Sequence, residues 1–239
     1  MCESMISVNG RDLRYFALNK KHIRQYDIEF MSLADADPEM TVLDIGCGTG
    51  IFSRYLQKKG FGDVVCLDLD ENLAPVLADL DPYQIVFDDA ENYLASLSTD
   101  KKFDMIVLHD VLEHLSLEKS CSMLKAFHSA LSANGRVVIR VPNMSSPWAA
   151  RIFYGDFGHI TAFSPDRIRA LATLTSFRVG KIVGQKTGKR RKQIAFNILS
   201  GFLSRILPEH PEIWEANVVA VFEKESSEAD YKNKRGCPR

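Results

Sequence analysis

Short apolar runs alternate with amphipathic stretches along most of the chain. Residues 41–45, 63–67, 83–87, 103–108 and 136–141 are predominantly apolar and short enough for single strands. Between them, residues 50–59 read as a helix closed by Gly60, and residues 71–80 as another. Apolar runs separated by helices predict a parallel sheet covered on both faces. A leading amphipathic helix is predicted over 20–33, where Ile23, Tyr26, Ile28, Phe30 and Met31 fall near helical spacing.

The rhythm changes after Pro142. Residues 143–163 read as an insertion carrying Pro147, Trp148, Phe153, Tyr154 and Phe157. Ser164 and Pro165 then supply a cap and a first-turn proline for a helix to about Thr173. Two further strands are predicted over 177–183 and 215–222, with a basic segment at 186–207 between them, helical over 194–206. The polar stretch 225–239 lacks apolar periodicity and is expected to be disordered. A single domain over 1–224 is expected, with its core in 40–142.

Composition adds little beyond exclusions. A chain of 239 residues with 46% hydrophobic content can bury a core without disulfides or metals. The net charge of −1 makes no case for a polyanionic partner of the whole molecule. Cys2, Cys47, Cys66, Cys121 and Cys237 form no CxxC pair, which reads as free thiols in a reducing compartment. With charges near the N-terminus and no apolar run of membrane-spanning length, a cytoplasmic protein is expected.

The densest chemistry lies in Val42-Leu43-Asp44-Ile45-Gly46-Cys47-Gly48-Thr49-Gly50, where a strand runs into three alternating glycines and a helix follows. Glycines there let backbone N–H groups approach a ligand without a Cβ in the way. A dinucleotide fingerprint needs a further glycine where this chain has Ile51. Asp68 ends the second strand, and Asp88-Asp89-Ala90-Glu91 follows the third. The fourth opens Phe103-Asp104-Met105-Ile106 and leads through His109-Asp110 to Val111-Leu112-Glu113-His114. Leu131-Ser132-Ala133-Asn134-Gly135 precedes the fifth.

In this order the motifs resemble those of class I S-adenosylmethionine-dependent methyltransferases, within them the quinone-biosynthesis and surface-glycan O-methyltransferase type. The resemblance implies an α/β fold: a Rossmann-like, seven-stranded, mostly parallel sheet with helices on both faces and the last strand antiparallel. It implies S-adenosyl-L-methionine as cofactor, with S-adenosyl-L-homocysteine as product. Asp44, Gly46, Cys47, Gly48 and Gly50 would surround its methionine part and Asp68 with Leu69 its ribose. Asp89 and Ala90 would meet the adenine, and His109 falls at a further cofactor-contacting position. Asp88 replaces the glycine of the family's G-D-A-E segment, and 131–135 departs from its L-K-P-G-G turn.

Methyl transfer from a sulfonium gains most from alignment, and a base is needed only for an acceptor protonated at working pH. Side chains just beyond the fourth and fifth strands face the reacting centre of such folds. They include His109, Asp110, Glu113, His114 and Asn143, joined by His159 from the insertion. His159 lies in a Gly158-His159-Ile160-Thr161-Ala162-Phe163-Ser164-Pro165 segment similar to one in glycan-type and quinone-type relatives. His159 or His114 is the expected base. His109 and His114 are five residues apart, wrong for two ligands on one helical face, so no metal is expected. Trp148, Phe153, Tyr154 and Phe157 suit either a substrate cover or a small core of the insertion's own. Arg24 reads as a solvated helix position, with pairing to the cofactor carboxylate as the alternative.

Eight basic residues and no acidic one lie between Arg178 and Arg205, so against a net charge of −1 the remainder of the chain carries −9. The helix there is expected to pack into the core behind a solvated loop. An anionic membrane surface, or the phosphates of a nucleic acid or activated sugar, are the alternatives. Three functions follow: O-methylation of a small molecule or glycan precursor, methylation of nucleic acid or protein, and a silent methyltransferase fold that only binds. The motifs favour the first and make nucleic acid the weaker partner. The preserved glycine loop with Asp68 argues against the third.

Overall fold

The computed structural model of the protein describes residues 17–224, together with the backbone of 7–8 and 11–12. The polar stretch 225–239 lies outside the described residues. The expected strands form one sheet: β1 (Val42–Ile45), β2 (Val64–Asp68), β3 (Gln84–Phe87), β4 (Phe103–His109), β5 (Leu131–Pro142), β6 (Phe177–Gly184) and β7 (Asn217–Lys224). Their order across the sheet is β3-β2-β1-β4-β5-β7-β6. Pairings from β3 to β5 are parallel, and β7 runs antiparallel to both β5 and β6. The strand order reverses between the parallel neighbours β1 and β4, so the carboxyl ends of these two strands open the crevice in which open α/β sheets hold ligands.

Alternation within each strand builds two cores. Leu43, Ile45, Val65, Leu67, Ile106 and Leu108 point to one face, where α4 (Ala90–Ser96), α5 (Leu117–Ala130) and, beyond the short α6 (Ala150–Phe153) of the insertion, α7 (Pro165–Leu174) cover them with Tyr93, Phe127 and Leu171. Val42, Val64, Cys66, Met105 and Val107 point to the other, under α1 (Lys20–Tyr26), α2 (Ile51–Lys59) and α3 (Ala74–Leu77). Phe30, Phe52, Tyr55 and Leu56 fill that second core, each almost fully buried. The leading helix continues beyond Tyr26 as a wider π turn over Asp27–Ser32, which carries Phe30 inward.

Three expectations change. The helix expected over 71–80 is broken into Glu71–Leu73, α3 and Ala78–Leu80, with 3₁₀ turns on either side of α3. Pro75 at the start of α3 lacks the N–H a continuous ladder would use. The turn expected at 131–135 is instead part of β5, whose pairing with β4 is irregular between Phe103 and Met105. The basic segment forms α8 (Arg190–Ile206), longer than expected, and none of its seventeen residues is buried. The core-packing expectation for this helix is therefore overturned. Its inner seam is narrow, and Ser204 Oγ accepts from Trp214 Nε1 at 2.9 Å to hold it down.

Candidate functional site

The glycine loop joins β1 to α2. Gly46, Gly48 and Gly50 take φ of +68°, +54° and +74°, in the left-handed region that other L-residues avoid. At Gly46 space adds a second demand, because a Cβ would meet Val111 Cγ2 at 2.6 Å. The N–H groups of Gly46 and Cys47 both donate to Leu67 O, at 2.8 and 3.1 Å, tying the loop to the end of β2. Asp68 braces it from the same strand. Its Oδ2 accepts from Gly48 N–H at 2.8 Å, and its Oδ1 from Asp70 N–H at 3.1 Å.

Beside this loop lies a cavity of about 120 Å³. Gly46, Asp68 and Leu69 line one end, and Asp88, Asp89 and Ala90 the other. Leu67, Val111, Leu115 and Met123 make its apolar wall, and Leu69 is left exposed at the rim. Carboxylate acceptors at one end, an apolar slot, and a helix N-terminus at the other suit a ribose carrying a purine. Asp89 caps α4 by accepting from Glu91 N–H at 2.9 Å, and Lys119 pairs with both Asp89 and Glu91. Lys119 and Met123, on α5, are lining residues that the motifs did not single out. Their signal would have been their place, one and two turns into the helix after V-L-E-H-L.

Asp44 lies beneath the loop, almost fully buried, accepting from Ser53 Oγ at 2.7 Å. Burial pushes its carboxyl up to about 7, against the lowering effect of the Ser53 bond. His109 does not line the cavity. Its ring stacks on Tyr26 with centroids 5.4 Å apart and meets the edge of Phe52 at 4.6 Å. Neither ring nitrogen has a hydrogen-bond partner among the described residues, and burial holds the imidazole well below its ordinary protonation range. A neutral histidine enclosed by aromatic rings is a poor proton carrier. Asn143 is fully buried and already bonded: Nδ2 donates to Ile213 O and Glu215 O, and Oδ1 accepts from Ser145 Oγ. It holds backbone segments together at the foot of the insertion.

Arg140, near the carboxyl end of β5, is hidden in an apolar strand pattern. Its guanidinium forms a two-pronged pair with Asp110, donating from Nε at 2.9 Å, and approaches Glu29 Oε2 at 3.7 Å. Asp110 takes φ of +58°, so the chain turns sharply after β4 and presents its carboxylate to this arginine. An arginine inside an otherwise apolar strand was the signal available.

Three expected residues converge. His114 and His159 have ring centroids 4.5 Å apart. Ligand-type atoms of Glu113, His114 and His159 all lie within 4.8 Å of one another, spacing that a divalent cation could also use. The insertion is pinned there by backbone bonds: Ile160 and Thr161 N–H donate to Glu113 O at 2.8 and 3.0 Å, and Thr161 Oγ1 donates to Leu115 O. His159 Nδ1 lies 3.0 Å from Phe153 O. Donation to that carbonyl fixes the tautomer and leaves Nε2 with its lone pair. The Glu113 carboxyl is 1% exposed, and among the described residues neither of its oxygens has a hydrogen-bond partner. Burial, helped by Asp110, pushes it up to about 8.

Glu113 and Asp44 therefore hold protons more tightly in the folded chain than in the unfolded one. Such groups stabilise the fold fully below their unfolded values, 4.5 and 3.8, and that stabilisation is lost as pH rises through about 7 to 8. Urea unfolding should show stability falling by a few kcal/mol between pH 5 and pH 8. The double variant Asp44→Asn, Glu113→Gln should flatten the slope, and an unchanged slope would refute the assignment.

A family model described as a methyltransferase domain matches residues 15–181, well over half of the chain. The chain belongs to the S-adenosylmethionine-dependent methyltransferase family. Among the relatives of this methyltransferase, a ribosomal protein L11 methyltransferase from Methylobacillus flagellatus is 33% identical over 109 residues, 45% of this chain and 34% of the relative. A ubiquinone biosynthesis O-methyltransferase from Hydrogenovibrio crunogenus is 30% identical over 134 residues, 53% of this chain and 52% of the relative. The chain thus spans about a third to a half of these curated relatives. The crystal structure of a SAM-dependent methyltransferase from Archaeoglobus fulgidus shares the fold, with a TM-score of 0.62 at 24% identity over 84% of this chain and 91% of that one. The cofactor of the family is S-adenosylmethionine.

Proposed function

We propose that this methyltransferase methylates a hydroxyl oxygen of a small molecule or glycan precursor. The observation that carries this reading is the His114–His159 pair, held beside buried Glu113 by the bonds that pin the insertion. Asp44, Gly46, Cys47, Gly48 and Gly50 hold the methionine part of the cofactor, Asp68 and Leu69 the ribose, and Asp89 and Ala90 the adenine. Bound there, S-adenosylmethionine supplies an electrophilic methyl group. A hydroxyl is a weak nucleophile until its proton leaves. His159 accepts that proton at Nε2, because Nδ1 is engaged with Phe153 O. His114 packs on the same ring and either shares the proton or orients the acceptor. The relative named for O-methylation in ubiquinone biosynthesis supports oxygen as the acceptor atom.

His159→Ala and His114→Ala should lower turnover by roughly 10²–10⁴-fold, the usual contribution of a positioned base. S-adenosylhomocysteine binding, measured by calorimetry, should stay within about threefold, since neither side chain lines the adenosine cavity. Full turnover in both variants with a phenol or sugar acceptor would sink this assignment. A second reading, methylation of protein or RNA, draws on the L11-methyltransferase relative and the basic segment. Turnover on a ribosomal protein or RNA alone, with none on sugars and phenols, would establish it instead.

A further inference from the structure

The helix α8 carries its amphipathic character the wrong way round for a core helix. Ile194, Ile198, Phe202 and Ile206 recur every fourth residue and, with Leu199, leave 48–69% of their surface exposed. Only part-buried Gln193, Phe196, Ser200, Leu203 and Ser204 face the described body of the protein. The stripe runs about 18 Å along the helix, at 1.5 Å per residue. An isolated exposed leucine needs no explanation, but five large apolar side chains aligned on one helix do.

Charge says what the stripe meets. Lys186, Lys189, Arg190, Arg191 and Lys192 are exposed at the start of the helix, and Arg205 is exposed at its end. No acidic residue occurs between Arg178 and Arg205, while the rest of the chain carries a net −9 against the whole-chain charge of −1. A second copy of this helix would bring the same cations face to face with no carboxylate on the helix to answer them. An acidic surface with an apolar interior answers both the stripe and its rim.

We infer that α8 is an in-plane docking helix that seats this methyltransferase on anionic phospholipid bilayers. Ile194, Ile198, Leu199, Phe202 and Ile206 enter the boundary between headgroups and acyl chains, and the flanking lysines and arginines meet lipid phosphates. Next to the helix opens a cavity of about 450 Å³, lined by Trp148 of the insertion, Phe196 and Asn197 of α8, and Lys21, Lys186 and Lys192. A docked molecule would hold this basic, aromatic-edged cavity close to the lipid surface.

Vesicle flotation of the full chain tests the inference. Vesicles of equal parts phosphatidylglycerol and phosphatidylcholine should carry the protein up the gradient, and phosphatidylcholine alone should not. I198D/F202D should weaken partitioning more than tenfold, and R190Q/R191Q by roughly twenty-five-fold, taking about fivefold per basic residue near an anionic surface. Because none of these side chains is buried, both variants should keep the wild-type melting temperature and S-adenosylhomocysteine affinity, which excludes misfolding as the cause of any loss. Failure of the wild type to float with phosphatidylglycerol would overturn the inference. So would equal binding to both lipids, or variants that bind like wild type. A dimer in sedimentation velocity that I198D/F202D dissociates, without vesicle binding, would assign the face to a second copy instead.

Discussion

Asp68→Ala will weaken S-adenosylhomocysteine binding by about a hundredfold in calorimetric titration. The carboxylate already accepts from Gly48 N–H at 2.8 Å and from Asp70 N–H at 3.1 Å, so its orientation is set before any ligand arrives. A carboxylate has about four acceptor positions, which leaves room for two ribose hydroxyls. Hydrogen bonds to a charged group contribute roughly 1.5–3 kcal/mol each, and water recovers part of that when the side chain is removed. About 2.7 kcal/mol of net loss corresponds to the stated hundredfold. Asp68→Asn, which keeps shape and one acceptor, should fall between wild type and alanine. Wild-type affinity in the alanine variant would place the ribose elsewhere.

The largest effect on stability is expected at Arg140. Its guanidinium sits between Asp110 and Glu29 with Tyr26 alongside, and Glu29 is only 2% exposed. Arg140→Met fills much of the same volume but strands the Glu29 carboxyl without its cation. Removing one partner of a buried pair costs about 3–5 kcal/mol. For a domain of this size each kcal/mol moves the melting temperature by roughly 2–4 °C, so a fall of about 10 °C is expected in scanning calorimetry. Adding Glu29→Gln should restore several degrees, because the stranded charge is then gone. An unchanged melting temperature in Arg140→Met would show that the pair is compensated by solvent.

Much of the cofactor region was legible because its determinants are local. Three glycines at positive φ between a strand and a helix, and an aspartate at the end of the next strand, are set within thirty residues of chain. His109 shows the limit of that reasoning. It sits at a strand end where the motif suggests a ligand contact, yet Tyr26 and Phe52 from two other helices enclose its ring. Asn143 follows the same pattern, its amide engaged by Ile213 and Glu215 far along the chain. Of Trp148, Phe153, Tyr154 and Phe157, Phe153 is buried while the other three remain exposed. An aromatic count could not separate a cover from a small core.

The sequence by itself determined the succession of strands and helices, the two faces of the sheet and the glycine loop. Short apolar runs, helical hydrophobicity and the sterics of glycine act over a few residues and leave their mark in the order of letters. Only the tertiary structure decided that His159 meets His114, that Arg140 pairs with Asp110 and Glu29, and that α8 lies against the surface rather than in the core. Each of those depends on packing between segments dozens of residues apart, where many partners satisfy the same local pattern and burial selects one.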